Sequence, residues 1–202
     1  MNEMKNMNRK DITKSLGDIL VANRLSGTGK YYAREVSIDP WTDHGKRVDF
    51  MQFIPENQMS ISGIEKGIFV CYEVKSCKED LYSGHGLNFF GEKNYIVTTM
   101  KCYKSILDDQ LKGKISKYLF EYHPESSQYY GFLVAVPCGR TMDDEFIQPT
   151  PFEGEFNDWE LRVVKNCRLG PRNRSATELL FCMLRSRQRI DWNECEEEEN
   201  NE

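Results

Sequence analysis

The run GIFVCYEVK at positions 67 to 75 constrains the fold more than any other stretch of the chain. Alternate side chains of a strand point to opposite faces. Here both sets are apolar, with Ile68, Val70, Tyr72 and Val74 against Phe69 and Cys71. RVDFMQFI, at 47 to 54, has the same two-sided character, with Val48, Phe50 and Ile54 against Met51 and Phe53. A strand buries both faces only when layers pack on each side of its sheet. The two runs are therefore central strands of a covered sheet, joined as a long-looped hairpin by about a dozen residues that begin at Pro55. The pattern breaks at its end, where Glu73 and Lys75 fall on one face and Val74 on the other.

The rest of the chain supplies the layers. DITKSLGDILVANR, at 11 to 24, spaces Ile12, Leu16, Ile19 and Leu20 along a helical face, and SGTG ends it. YYAREVSI (31 to 38), NYIVTT (94 to 99), GFLVAVP (131 to 137) and WELRVVKNC (159 to 167) read as further strands. CYKSILDDQLKGKISKYL is a helix, or two helices interrupted at Gly113. Ser175 with Glu178 three residues on has capping-box spacing and opens a last helix at 175 to 189. The order α-β-β-β-(α)-β-α-β-β-α, without internal repeats, predicts an α/β (α+β) fold: one mixed central sheet flanked by helices, as a single domain over 1 to 190.

Charge and cysteine content exclude several functions. Seven of the 32 acids sit in residues 191 to 202, DWNECEEEENNE, which is read as a disordered acidic tail; the first 190 residues then carry 27 bases against 25 acids. Seven cysteines without a CxxC pair support neither a disulfide framework nor a zinc cage. The N-terminus lacks the apolar core of a secretory signal and no apolar run is long enough to span a bilayer, so a cytoplasmic location is expected. GTGK at 27 to 30 is not a phosphate loop, because that motif needs glycine where Arg24 stands and a strand rather than a helix before it.

The charged end of the central strand remains to be explained. If the hairpin is symmetric about residue 61, Asp49 falls opposite Glu73, which puts three charged groups at one end of an apolar ladder. Burying them uncompensated costs several kcal/mol, on the order of the penalty for an unpaired polar group or more. A Lys75–Glu73 salt bridge is one compensation. A divalent cation is another, since two carboxylates make a hard-oxygen site suited to Mg²⁺ or Mn²⁺ that leaves room for water and phosphate oxygens.

The helix, the strand carrying Asp49, and the strand ending in Glu73-Val74-Lys75 resemble the PD-(D/E)XK, or restriction-endonuclease-like, nuclease superfamily. The stretch RVDFMQF…GIFVCYEVKSCKEDLYSGHGLNFFGEKNYIVTT is most similar to the MmcB-type DNA-repair family and its phage-borne relatives, with Arg47, Asp49, Glu73, Lys75 and Asp80 as the matching residues. Two features depart from the pattern: Val48 stands where a proline often precedes the aspartate, and YSGHGLNFFGEKNY replaces a segment common in MmcB-type members. The resemblance implies a restriction-endonuclease-like sheet and a metal-dependent nuclease acting on DNA in repair, recombination or phage DNA processing. Asp49 and Glu73 would ligate Mg²⁺ or Mn²⁺ together with the Val74 carbonyl, and Lys75 would assist the attacking water. Glu35 is a further acid for such a site, or an exposed strand residue paired with Arg34 or Arg47. His85, between glycines, is a phosphate or proton-transfer residue or a plain turn residue. The base-rich stretch from Leu161 to Ile190 offers Arg172, Arg174, Arg185 and Arg187 for nucleic-acid backbone, or a solvated helix face. His44 and His123 lie in turn-like surroundings and receive no role. Tyr95, Tyr103, Tyr118, Phe120 and Tyr122 read as core packing, with base stacking as the alternative. A non-catalytic nucleic-acid-binding module that keeps the fold is the competing function, and a homodimer is compatible with the sequence.

Overall fold

The computed structural model describes residues 7 to 153 and 156 to 187. Within them the chain forms one six-stranded mixed sheet and seven α-helices: α1 (Arg9–Leu20), β1 (Tyr31–Ile38), β2 (Lys46–Ile54), α2 (Ile61–Glu65), β3 (Ile68–Val74), α3 (Lys78–Leu81), β4 (Lys93–Thr99), α4 (Met100–Leu111), α5 (Lys114–Tyr122), β5 (Gly131–Pro137), α6 (Met142–Ile147), β6 (Trp159–Lys165) and α7 (Ala176–Arg187). The strands lie in chain order. β1, β2 and β3 form an antiparallel meander, β4 and β5 continue in parallel, and β6 closes the far edge antiparallel.

Both faces of the sheet are covered, as the two-sided strands require. On one face Leu16, Ile19 and Leu20 of α1 pack on Phe50, Val70, Tyr72, Val74 and Val97. The other face is divided: α4 and α5 bring Tyr103, Ile106, Ile115 and Leu119 onto Ile96, Phe132 and Val134, while α7 brings Leu179, Cys182 and Met183 onto Val36, Met51, Phe69 and Cys71. No helix among the described residues is long and apolar enough to cross a membrane.

The helix boundaries follow from their caps. Asn8 accepts from the Asp11 amide at the start of α1, Thr99 from the Cys102 amide at the start of α4, and Ser175 from the Glu178 amide at α7. Gly113, at φ +70, takes the left-handed conformation that separates α4 from α5, which settles the two readings of that segment in favour of two helices. α1 runs on through a π-helical turn, Val21–Leu25. The short helices α2 and α6 were not expected; five and six residues are too few to display a helical period.

Candidate active site

The β2–β3 register pairs Phe50 with Tyr72, Met51 with Cys71 and Ile54 with Ile68, so the next step of the ladder sets Asp49 opposite Glu73. Asp49 is held there by its own cross-strand bond, with Oδ2 accepting from the Val74 amide at 2.8 Å. The symmetry read from the sequence therefore places the carboxylates where it predicted. What the structure adds is their depth: Asp49 is half-buried, Glu73 wholly so.

Glu73 is wholly buried. Its Oε1 accepts from the Asn88 amide at 3.2 Å, and its Oε2 has no hydrogen-bond partner among the described residues. Burial, with the Asp49 carboxylate beside it as a second cause, pushes its pKa well above the usual carboxylate range, and burial likewise raises Asp49. Two neighbouring carboxyls held above the usual carboxylate range, Glu73 by burial and Asp49, Asp49 by burial and Asp80, are a site in need of positive charge. Lys75 does not supply it by direct pairing. Its ammonium donates to the His85 carbonyl at 2.9 Å and forms no ion pair with Glu73. The simple salt-bridge explanation of the E-x-K pattern is therefore not what the fold contains.

The segment after β3 closes over these groups. Asp80 accepts from both the amide and the hydroxyl of Ser76, which fixes the turn into α3. The chain then returns through Gly84, Gly86 and Leu87, all at positive φ. Gly86 lies so near that a Cβ on it would meet the Lys75 ammonium at 2.5 Å and Glu73 Oε2 at 2.6 Å. Asn88 ties the returning segment to β2 by donating from Nδ2 to the Arg47 carbonyl at 2.8 Å. Tyr118 of α5 anchors the tip, accepting from the Gly84 amide at 2.8 Å.

A polar cavity of about 550 Å³ opens beside this cluster, with Asp49, Lys75, Asp80, Lys46, Arg47 and His85 in its wall. Glu73 lies just behind the wall, beneath Gly86. His123, at the end of α5, also reaches the cavity; it is buried, neither of its ring nitrogens has a partner among the described residues, and burial together with Lys46 and Lys75 lowers its pKa. An apolar cleft of about 390 Å³ between β1, β2, α2 and α7 has no charged side chain in its lining and offers no comparable chemistry.

The remaining sequence candidates separate cleanly. Val74 lines the cavity and its amide positions Asp49. Glu35 stands apart: it takes a left-handed φ of +53 between the pairs Arg34↔Phe50 and Val36↔Val48, and its carboxylate pairs with Arg47 Nε at 2.7 Å. It thus touches a cavity residue without lining the cavity. The arginines are used inside the fold. Arg172 bonds Glu92 at 2.7 Å and lies over the Phe69 ring, Arg174 bridges Asp39 and Glu178, and Arg185 donates to the Ser37 carbonyl. None of these three lines the cavity, where the basic groups are Lys46, Arg47 and Lys75. The Arg187 side chain and the acidic tail at 191 to 202 lie outside the described residues.

Among the described residues no group of three or more His, Cys, Asp or Glu is arranged to hold a metal ion. The carboxylate pair still fits a hard divalent cation. Mg²⁺ is held by one or two carboxylates with several waters retained, and the orphaned Oε2 of Glu73 is a buried acceptor in want of a partner. No family model, curated protein or solved structure matches the chain.

Proposed function

We propose that the protein is a metal-dependent phosphodiesterase acting on DNA, of the PD-(D/E)XK kind, working in a reducing, cytoplasmic setting. The observation that carries the reading is the pair Asp49 and Glu73: a half-buried carboxyl in the cavity wall beside a wholly buried one, both held above the usual carboxylate range, the buried one with an oxygen that has no partner among the described residues. A wholly buried carboxylate with an unpartnered oxygen beside a second carboxyl is uncommon in a folded protein and calls for an ion or a water to complete it. A bound Mg²⁺ or Mn²⁺ would polarise a phosphate oxygen and acidify a water.

This chain's own residues have the complementary tasks. Asp49 and Glu73, with the Val74 carbonyl, would hold the cation, and the Val74 amide keeps Asp49 aimed at it. Lys75, fixed by the His85 carbonyl, would orient the attacking water and offset negative charge on the phosphate. Lys46 and Arg47 would bind the flanking backbone from the cavity wall without reading bases.

One observation favours a second reading, a nucleic-acid-binding module without catalysis: Glu73 lies beneath Gly86 rather than in the cavity wall. The two readings separate in cleavage of labelled single-stranded, duplex and forked DNA with Mg²⁺ or Mn²⁺. Metal-dependent cutting that disappears in Asp49→Ala and Lys75→Ala supports the nuclease. Binding without cutting, with metal leaving the melting temperature unchanged, supports the module.

A further inference from the structure

A second chamber, of about 290 Å³, adjoins the polar cavity and shares three of its wall residues, Lys46, Asn88 and His123. Its character is different. Phe90, Tyr122 and Pro124 give it an apolar, partly aromatic lining, and Glu125 stands at its wall where an arginine would be needed to hold a second phosphate. Tyr122 is 59% exposed although it belongs to α5; one side of its ring rests against Tyr118, at 4.9 Å between centroids. His123 is 5% exposed, yet both of its nitrogens lack a partner among the described residues, so the shared wall contains a hydrogen-bonding group that the fold itself does not use.

The two chambers are also mechanically joined. Tyr118 binds the Gly84 amide, and so anchors the segment that covers Glu73 and Lys75, while its ring contacts both Tyr122 and His123. A cavity that carries Lys46, Arg47 and Lys75 leads over Lys46 into a chamber walled by Phe90, Tyr122 and Pro124, which matches the order of a nucleotide, with charged phosphate followed by a planar, uncharged base. In a duplex that base is stacked and paired. It reaches such a chamber only when it is splayed out of the stack.

We propose that this chamber seats one unpaired base next to the phosphate held in the polar cavity, stacked on Tyr122 and edged by His123, so that the preferred substrate is a single strand or a strand with an unpaired nucleotide rather than intact duplex. The inference rests on the nucleic-acid reading above, but not on catalysis. Its test is therefore a binding measurement.

The full chain is titrated, in EDTA and in Ca²⁺, into a labelled single-stranded oligonucleotide and into a hairpin duplex of the same sequence, and the same is done for Tyr122→Ala and Tyr122→Phe. The Tyr122 side chain is 59% exposed and its ring rests on the surface of α5 beside Tyr118, so neither change threatens the fold. The expected result is tighter binding of the single strand, lost by about tenfold or more in Tyr122→Ala, as removal of one stacking platform predicts. Tyr122→Phe retains it and duplex binding hardly changes. An abasic site walked along the oligonucleotide should weaken wild type at one position and leave Tyr122→Ala indifferent. Equal affinity for both forms, no binding, or a single-strand affinity unmoved by Tyr122→Ala would overturn the inference. Metal-dependent cleavage that ignores Tyr122 would leave the nuclease standing and remove the chamber. Tyr122-dependent strand binding without cleavage would do the reverse.

Discussion

Replacing Glu73 by glutamine is expected to stabilise the metal-free protein at neutral and alkaline pH. The side chain keeps its shape and still offers Oε1 to the Asn88 amide, while the charge disappears. Wild type must ionise a wholly buried carboxyl that has no paired cation, and a buried charge left without its partner costs on the order of 1–3 kcal/mol or more wherever the pH forces it to ionise. For a chain of 202 residues, each kcal/mol moves the melting temperature by about 2–4 °C, so the variant should melt roughly 2–12 °C higher in EDTA at pH 8. The sign follows from linkage. Because burial raises the folded-state pKa of Glu73 above its unfolded value, its contribution to stability is fully present below the ordinary carboxylate pKa of about 4.3 and is lost as pH rises through the folded value. The advantage of Glu73→Gln should therefore vanish near pH 4 and grow with pH. Adding Mg²⁺ should invert the order: at a hundred times the dissociation constant wild type gains about 2.7 kcal/mol, and the variant, having lost a ligand, gains little. Melting curves between pH 4 and 8, with and without Mg²⁺, measure all of this. A variant less stable than wild type in EDTA at pH 8, or a difference that does not change with pH, would refute the reasoning.

Gly86→Ala tests the close approach over the site. At φ +76 a side chain costs about 1–2 kcal/mol, and the new Cβ would displace Glu73 and Lys75; a loss of about 2–4 kcal/mol on denaturant unfolding is expected, with metal binding lost as well. Arg172→Ala should destabilise the fold by about 2–3 kcal/mol, since it leaves Glu92 half-buried without its partner, yet leave DNA affinity and its salt slope unchanged. Lys46→Gln should lower both without loss of stability, as salt-dependent binding titrations will show. Burial pushes the thiols of Cys71 and Cys102 up to about 12 and about 11, whereas Cys138 is exposed; iodoacetamide with peptide mapping should label Cys138 in the native protein and the buried pair only after unfolding.

The parts of the fold that local pattern determines were legible in the sequence. Two-sided apolar strands can only be central, and symmetry about their loop brought Asp49 opposite Glu73, as the register of β2 and β3 bears out. The partners of the arginines were not legible. Arg172 meets Glu92, and Arg174 meets Asp39, across 80 and 135 residues, and nothing in a cluster of bases says that its charges are consumed by distant acids. The left-handed turn at Glu35 and the recruitment of Lys46, Asn88 and His123 to one wall depend on how β2, α5 and the segment after α3 converge. A glycine-flanked SGHG followed by Asn88 was the only trace of that convergence, and it reads equally well as an ordinary turn.

The central claim is that Asp49 and Glu73 form a divalent-cation site, and the most direct measurement is calorimetric titration of Mn²⁺ into the purified full chain, in two buffers of different ionisation enthalpy, beside Asp49→Asn and Glu73→Gln. One site is predicted, with proton release because both carboxyls must ionise to bind, and neither variant should retain it. Binding of equal strength in all three proteins, or none in the wild type, would contradict the claim.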